Sequence, residues 1–571
     1  MKNMLSRITV IFTVLVFISS CERNIDNTEG VEYNDSDDKN SEYYENSDDY
    51  DWDADMATTI VMNGDEVSIT GFGATYADGI ITIDTLGEYL ISGELDDGQI
   101  LVNAGDDERV KLILNNAVIS SSDNSPILVE QSVRTVIILP DNSVNTLSDG
   151  ATYSTNASNN AAIYSKSDLV LSGNGKLTVN GNYLDGITGK DGLIINSGEY
   201  IVKTADDGIR GKDYLVIRAG TFTITSGGDA IVSDNEDSGC GYVDIYDGTF
   251  DITSSGDGIY AVNELYIEDG NYDIYCSSGY NSGKALKAGS LITVAGGEYI
   301  IQSVDDALHS DLDLLVQAGT FTINTSDDAF HAEDELTIEY ADVVIQKCYE
   351  GLEAKIITIE DGNITLTASD DGINAASGAG ASMATMQPGS SGDNYLYING
   401  GTIVVYASGD GVDVNGSVKM KGGTLLVHGP TSSGNGPLDY DGTFEISGGL
   451  LVAAGSSGMA MAPSSSSSQY SVLINFSTTY SAGTLFNLQD NSGNEIVTFK
   501  PSKNYQSVAV SSPDIENGTT YKVYTGGSST GTEYEGLYTD GSYTAGSQYT
   551  SFTVSSKTTT VGSSGGGTRP R

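Results

Sequence analysis

The sequence predicts an all-β fold, a parallel β-helix (solenoid) of about 22 residues per coil followed by a small C-terminal β-domain, and three observations carry this. An acidic residue followed by Gly or Ala recurs at a near-constant interval. Between recurrences, short apolar strands alternate with glycine turns. The composition agrees, because 69 glycines and 34 tyrosines in 571 residues favour turns and strands over helices.

Aligned on the acidic residue, Asp185, Asp207, Asp229, Asp257, Asp306, Asp328, Glu350, Asp371 and Asp410 form one column, with Lys284 in the same place between Asp257 and Asp306. The interval is 21 or 22 residues where no insertion intervenes and lengthens to 28, 27 and 39 elsewhere. Such a period is the signature of a solenoid, in which each coil buries its apolar face only against its neighbours. The unit is clearest at Leu215-Val216-Ile217-Arg218-Ala219-Gly220-Thr221-Phe222-Thr223-Ile224, where Phe222 and Ile224 alternate inward. The same pattern returns at Leu314 to Ile323.

The helix is expected over 57–463, with looser first coils built on Val110 to Leu114 and Val133 to Leu139. After Pro463 and its serine run the period stops, and short apolar runs over 469–555 read as a separate small β-domain. The Gly/Ser-rich stretch 556–571 reads as a disordered tail.

The N-terminus reads as an address. Lys2 and Arg7 precede an apolar run too short to span a bilayer, and Ile18-Ser19-Ser20-Cys21 resembles a bacterial lipoprotein cleavage box. Residues 1–21 are therefore expected to be a signal peptide, with lipidated Cys21 anchoring an extracytoplasmic, surface-exposed protein. Fourteen acidic residues over 22–56 lie among few aliphatic ones, which predicts an extended, self-repelling tether. With Cys21 lipidated, Cys240, Cys276 and Cys348 imply no disulfide framework.

A formal net charge of -53 excludes nucleic acid and anionic membrane surfaces as partners. The membrane contact is the lipid anchor alone, and a monomer is expected. Stacked coils bring equivalent side chains to ~4.8 Å, where two carboxylates repel by about 3 kcal/mol at an effective dielectric near 20. The pairs Asp206-Asp207, Asp305-Asp306, Asp327-Asp328 and Asp370-Asp371 intensify that repulsion, and clustered oxygen donors on rigid turns suit calcium. Ordinary turn chemistry also accounts for Asp-Gly, because the carboxylate can cap its own turn.

A second column lies three positions later and should face outward: Arg210, Val232, Tyr260, Lys287, His309, His331, Glu353, Asn374 and Asp413. Two stacked histidines allow a transition-metal site, or hydrogen-bonding and sugar-stacking groups.

The segments Asp305-Asp306-Ala307-Leu308-His309-Ser310, Asp327-Asp328-Ala329-Phe330-His331-Ala332, Tyr349-Glu350-Gly351-Leu352-Glu353-Ala354 and Asp370-Asp371-Gly372-Ile373-Asn374-Ala375 resemble the signature of a bacterial family of carbohydrate-binding parallel β-helices. A later signature is matched from Gly429-Pro430-Thr431 to Asp441-Gly442, and the likeness runs from about residue 57 to 561. The resemblance implies a right-handed helix related to pectate lyases, bound calcium, and binding of cellulose-like and pectin-like glycans. It carries Asp305, Asp306, Asp327, Asp328, Glu350, Glu353, Asp370 and Asp371 over as calcium or sugar contacts. Lys284 and an insertion at 377–393 depart from the pattern.

Calcium-dependent, non-catalytic polysaccharide binding is therefore the function expected. The metal ligands would come from Asp206, Asp207, Asp305, Asp306, Asp327, Asp328, Glu350, Asp370 and Asp371, and the glycan contacts from His309, His331, Glu353 and Asn374. Two alternatives stand beside it: a calcium-dependent lyase using Lys284 or Lys287 as base, and a surface-adhesion solenoid that binds no sugar.

Overall fold

The computed structural model describes residues 49–154, 158–277, 283–377 and 393–562. The expected signal peptide, Cys21 and the tether up to residue 48 lie outside them, as do most of the 377–393 insertion and the end of the tail. Among the described residues the fold is all-β without an α-helix, a β-solenoid of about 14 turns whose parallel strands lie about 24 residues apart.

Each regular coil contributes three strands, and each strand pairs in parallel with its successor. Ile209–Gly211, Tyr214–Ile217 and Thr221–Ser226 pair with Ile231–Ser233, Tyr242–Ile245 and Thr249–Ser254, in registers that set Arg210 beside Val232 and Phe222 beside Phe250. The alternation read from the sequence is realised, because Phe222 and Ile224 are buried while Thr221, Thr223 and Thr225 are exposed. Glycine makes the corner before this strand: Gly220 has φ of 142°, and a Cβ there would stand 2.9 Å from the Phe222 ring.

The interior is filled by stacking like on like. Tyr200, Phe222, Phe250, Tyr272, Tyr299 and Phe321 form a ladder with centroids 5.2, 4.8, 4.8, 4.7 and 4.6 Å apart. Those spacings follow the ~4.8 Å separation of neighbouring strands. Each buried tyrosine hydroxyl donates to a nearby backbone carbonyl, as Tyr299 does to Gly296 at 2.8 Å.

Both ends differ from expectation. Residues 49–56, assigned to the tether, pack on the first coils: Asp49 is 1% exposed and accepts from Arg134 at 2.8 Å, with Arg109 at 3.4 Å. Tyr50 and Trp52 cover an apolar cluster outside the sheet that includes Ile113, Val136 and Val170. Composition showed only like-charge repulsion, whereas folding supplies a buried arginine as counter-charge.

The C-terminal unit is not separate. Tyr505–Ser511 pairs antiparallel with Leu450–Gly455 of the final coil and with Ser471–Tyr480, and Val404, Leu426 and Val452 share one core with Phe486 and Phe499. The unit closes the open end of the solenoid, which a stack of coils requires. The supposed tail also begins as structure, because Thr558–Val561 pairs in parallel with Ser471–Tyr480. Its low-complexity threonines pass for disorder until the neighbouring strand edge is in place.

Candidate functional site

The two columns stand side by side. The short strands Leu286–Ala288, Leu308–Ser310, Leu352–Ile359 and Ile373–Ala375 bury their first and third residues and leave the second half-buried on the outside. Register then stacks Tyr260, Lys287, His309, His331, Glu353, Asn374 and Asp413, and extends the column to Asp439.

The acidic column is a ladder. At several coils the N–H of the column residue donates to the carboxylate one coil earlier: Asp229 to Asp207 at 2.8 Å, Asp257 to Asp229 at 2.7 Å, Asp328 to Asp306 at 3.0 Å and Glu350 to Asp328 at 2.9 Å. The turn-capping role read from the sequence is thus realised between coils rather than within one turn, and it gives Asp207, Asp229, Asp306 and Asp328 a backbone donor each. Glycine before the column position keeps room for it, since a Cβ on Gly409 would collide with the carboxylates of Asp370 and Asp371.

Counter-charge is supplied unevenly along this ladder. Arg210 pairs with Asp185, Asp207 and Asp234, so the guanidinium occupies the place of a cation beside Asp207. Asp206 is not drawn into any carboxylate group of ligand spacing among the described residues. Lys284 donates to Asp305 at 2.7 Å and to Asp306 at 2.6 Å, and burial, which opposes its charge, is outweighed by these two carboxylates. Lys287 lies 3.5 Å from Asp257 and over the ring of Tyr260.

The histidines come next. His309 Nδ1 lies 2.7 Å from Asp306 Oδ2, and its Nε2 lies 2.9 Å from Asp311. His331 Nδ1 stands 3.6 Å from Asp306, 3.5 Å from Asp328 and 3.5 Å from Glu353. Burial works against charge on His331, but Asp306, Asp328 and Glu353 raise it to about 10. Burial likewise pushes against ionisation of Asp306, yet His309, His331 and Lys284 hold it far below the usual carboxylate range.

Elsewhere in the ladder the shift is upward, before Asp306 as well as after it, and burial lifts Asp185 and Asp229 to about 7. Burial and neighbouring carboxylates push Glu350 up to about 7, Asp371 to about 6 and Asp413 to about 7, and no cation is among the main influences on Asp371 or Asp413. Asn374 donates to Glu350 at 2.7 Å. Asp371, Asp410 and Asp413 each bring one carboxylate oxygen within 4.8 Å of the others, an all-oxygen donor set that fits a hard cation such as calcium.

Asp305, Asp306 and Asp327 also gather within that distance, but there Lys284 already sits among them. Of the residues assigned from sequence, Asp328 lies with Glu353 and His331, and Asp370 adjoins the Asp371 group. Asp410 and Asp413, which join Asp371 in that group, were not among the residues assigned from sequence, although their places in the columns were the available signal.

A family described as carbohydrate-binding domain-containing protein matches twice, over residues 77–329 and 327–564. A curated carbohydrate-binding domain-containing protein of Acetivibrio thermocellus is 33% identical over 154 residues, which is 26% of this chain and 54% of the relative. The chain thus spans about half the length of that relative. A solved structure of the polysaccharide lyase-like protein from C. thermocellum, a gadolinium derivative, is 29% identical with a TM-score of 0.38, over 46% of this chain and 96% of its own. With the two family matches running from residue 77 to 564, this chain belongs to the carbohydrate-binding domain-containing protein family.

Proposed function

We propose that the protein is a lipid-anchored, extracytoplasmic binder of polysaccharide, calcium-dependent and non-catalytic, whose ligand lies along the two outer columns. The observation that carries this is the Asp371, Asp410 and Asp413 group, where three half-buried carboxylates bring their oxygens within 4.8 Å of one another in an all-oxygen donor set. Calcium there would neutralise the face and leave coordination positions for ligand oxygens, since it accepts six to eight. A protein of net charge -53 would otherwise repel a polyuronate, and calcium would bridge the two sets of carboxylates. Neutral cellulose-like chains remain accessible to the same face through Asn374, Glu353 and the histidines.

Lyase chemistry needs an unprotonated base near the metal. Lys284 is instead held protonated between Asp305 and Asp306, and Lys287 is committed to Asp257 and Tyr260. Anchoring rests on the Cys21 box alone.

Affinity electrophoresis through polygalacturonate and through soluble cellulose derivatives, with calcium or with chelator, tests the reading. Retardation should require calcium, and Asp371→Asn with Asp413→Asn should weaken it at least tenfold, about 1.4 kcal/mol. Unchanged retardation in chelator overturns the calcium role. Release of unsaturated products would establish the lyase instead.

A further inference from the structure

We propose that Asp328, His331 and Glu353 form a second metal site, selective for a borderline divalent cation of the zinc class rather than for calcium. One observation is distance. His331 Nδ1 is 3.5 Å from Asp328 Oδ2 and 3.5 Å from Glu353 Oε2, longer than a well-formed hydrogen bond. Two ligands on a tetrahedral zinc with bonds of about 2.0 to 2.2 Å stand about 3.3 to 3.5 Å apart. The three groups are thus spaced as ligands that share an ion, and all their ligating atoms lie within 4.8 Å of one another.

The second observation is orientation. Asp328 commits Oδ1 to the Glu350 N–H at 2.9 Å, leaving Oδ2 turned to His331. The far nitrogen of His331 lies 3.9 Å from Glu333, and that of its neighbour His309 lies 2.9 Å from Asp311, each two residues on in sequence. At 2.9 Å Asp311 orients His309 by a hydrogen bond, whereas Glu333 at 3.9 Å stands outside hydrogen-bond reach of His331 and would have to close on it to orient a bound imidazole. His309 itself is spent on Asp306, which it shares with Lys284, and so serves as a neighbour rather than a ligand.

The donor set decides the metal. One imidazole nitrogen and two carboxylates are too few oxygens for calcium but match a three-ligand zinc-type site with one position left for water or a solute oxygen, the ion taking the place of the proton that His331 Nδ1 otherwise shares with these carboxylates and releasing it to solvent. The side chains of Asp328, His331 and Glu353 are 8, 17 and 19% exposed, so the pocket is sheltered yet reachable. The Asp371 group, one and two coils beyond Glu353, contains no nitrogen and would keep calcium.

Calorimetric titration of zinc chloride into chelator-stripped full-length protein, in excess calcium and without glycan, tests this directly. One equivalent should bind, His331→Gln and Glu353→Gln should each weaken it at least tenfold, and His309→Gln should change it less than threefold, on the usual scale of ligand and neighbour effects. Cobalt(II) in place of zinc should give the intense visible absorption of four-coordinate ions and lose it in His331→Gln. Melting curves of the variants in calcium establish that they are folded. No stoichiometric zinc heat, or zinc binding that survives in folded His331→Gln, overturns the site. Because no glycan is present, either result leaves the polysaccharide reading to its own experiment.

Discussion

Asp306 and Asp371 hold the same position in the repeat, three coils apart, and their carboxyls move in opposite directions. Burial disfavours ionisation at both. At Asp306 it is overcome by Lys284, His309 and His331, and the acid is held far below its ordinary range. At Asp371 it is reinforced by Asp370 and Asp439, and the acid rises to about 6. One backbone position thus supports two kinds of site, an internally neutralised one and one that calls for an outside cation. What separates them is the side chain three residues on and the residue one coil back, not the fold.

The largest effect should come from removing the internal cation. Lys284→Met leaves half-buried Asp305 beside buried Asp306 without their ammonium, and stripping one partner from a buried pair costs up to about 3 to 5 kcal/mol, an upper bound here because His309 and His331 still face Asp306. Thermal melting should drop accordingly, and Asp306→Asn in the same chain should restore much of the loss, because asparagine still accepts the Asp328 N–H. If Lys284→Met melts with the parent, the neutralised half of the comparison is wrong.

That contrast shows how much was legible beforehand. The period, the strand alternation and both columns could be read because a solenoid converts sequence interval directly into spatial neighbourhood: Lys287, His309 and His331 are stacked in the order their spacing implied. The cap, the strand Thr558–Val561 and the docking of Asp49 could not, since each depends on a partner far away in sequence. The ligand assignment was half legible for the same reason. Acidic residues mark the column, but whether a given one needs a metal depends on whether Arg210 or Lys284 has already reached it.

The pH dependence of stability sharpens the comparison next, with an effect on the order of 1 to 3 kcal/mol per group. Asp306 ionises more easily folded than unfolded, so its contribution is full above pH 4 and is lost on acidification below that. Glu350, Asp371 and Asp413 have raised values, so theirs is full below about pH 4 and is lost as pH climbs through 6 to 7. Chelated protein should therefore melt highest near pH 4 to 5 and weaken toward pH 8. Calcium should reverse the decline on the alkaline side, where it no longer competes with protons. A chelated melting curve that rises steadily from pH 5 to 8 would contradict the uncompensated half.

The smallest effect is also the one that runs against habit, because it predicts a gain. Asp413 sits among Asp371, Asp410, Asp439 and Asp441, all of which raise its value, and ionising it at pH 8 without a cation costs the fold energy. Asp413→Asn keeps the size and turn tolerance of the side chain while removing that charge. In chelator at pH 8 the variant should be more stable than the parent by about 1 kcal/mol. In saturating calcium the order should invert, because the variant has lost one donor of the Asp371, Asp410 and Asp413 group and gains less from the ion. The crossing of the two stabilities is the informative result, since a purely structural carboxylate would be missed equally in both conditions. Loss of stability in chelator as well as in calcium would mean that Asp413 holds the coil together by its own hydrogen bonds, and that this end of the ladder asks for no metal.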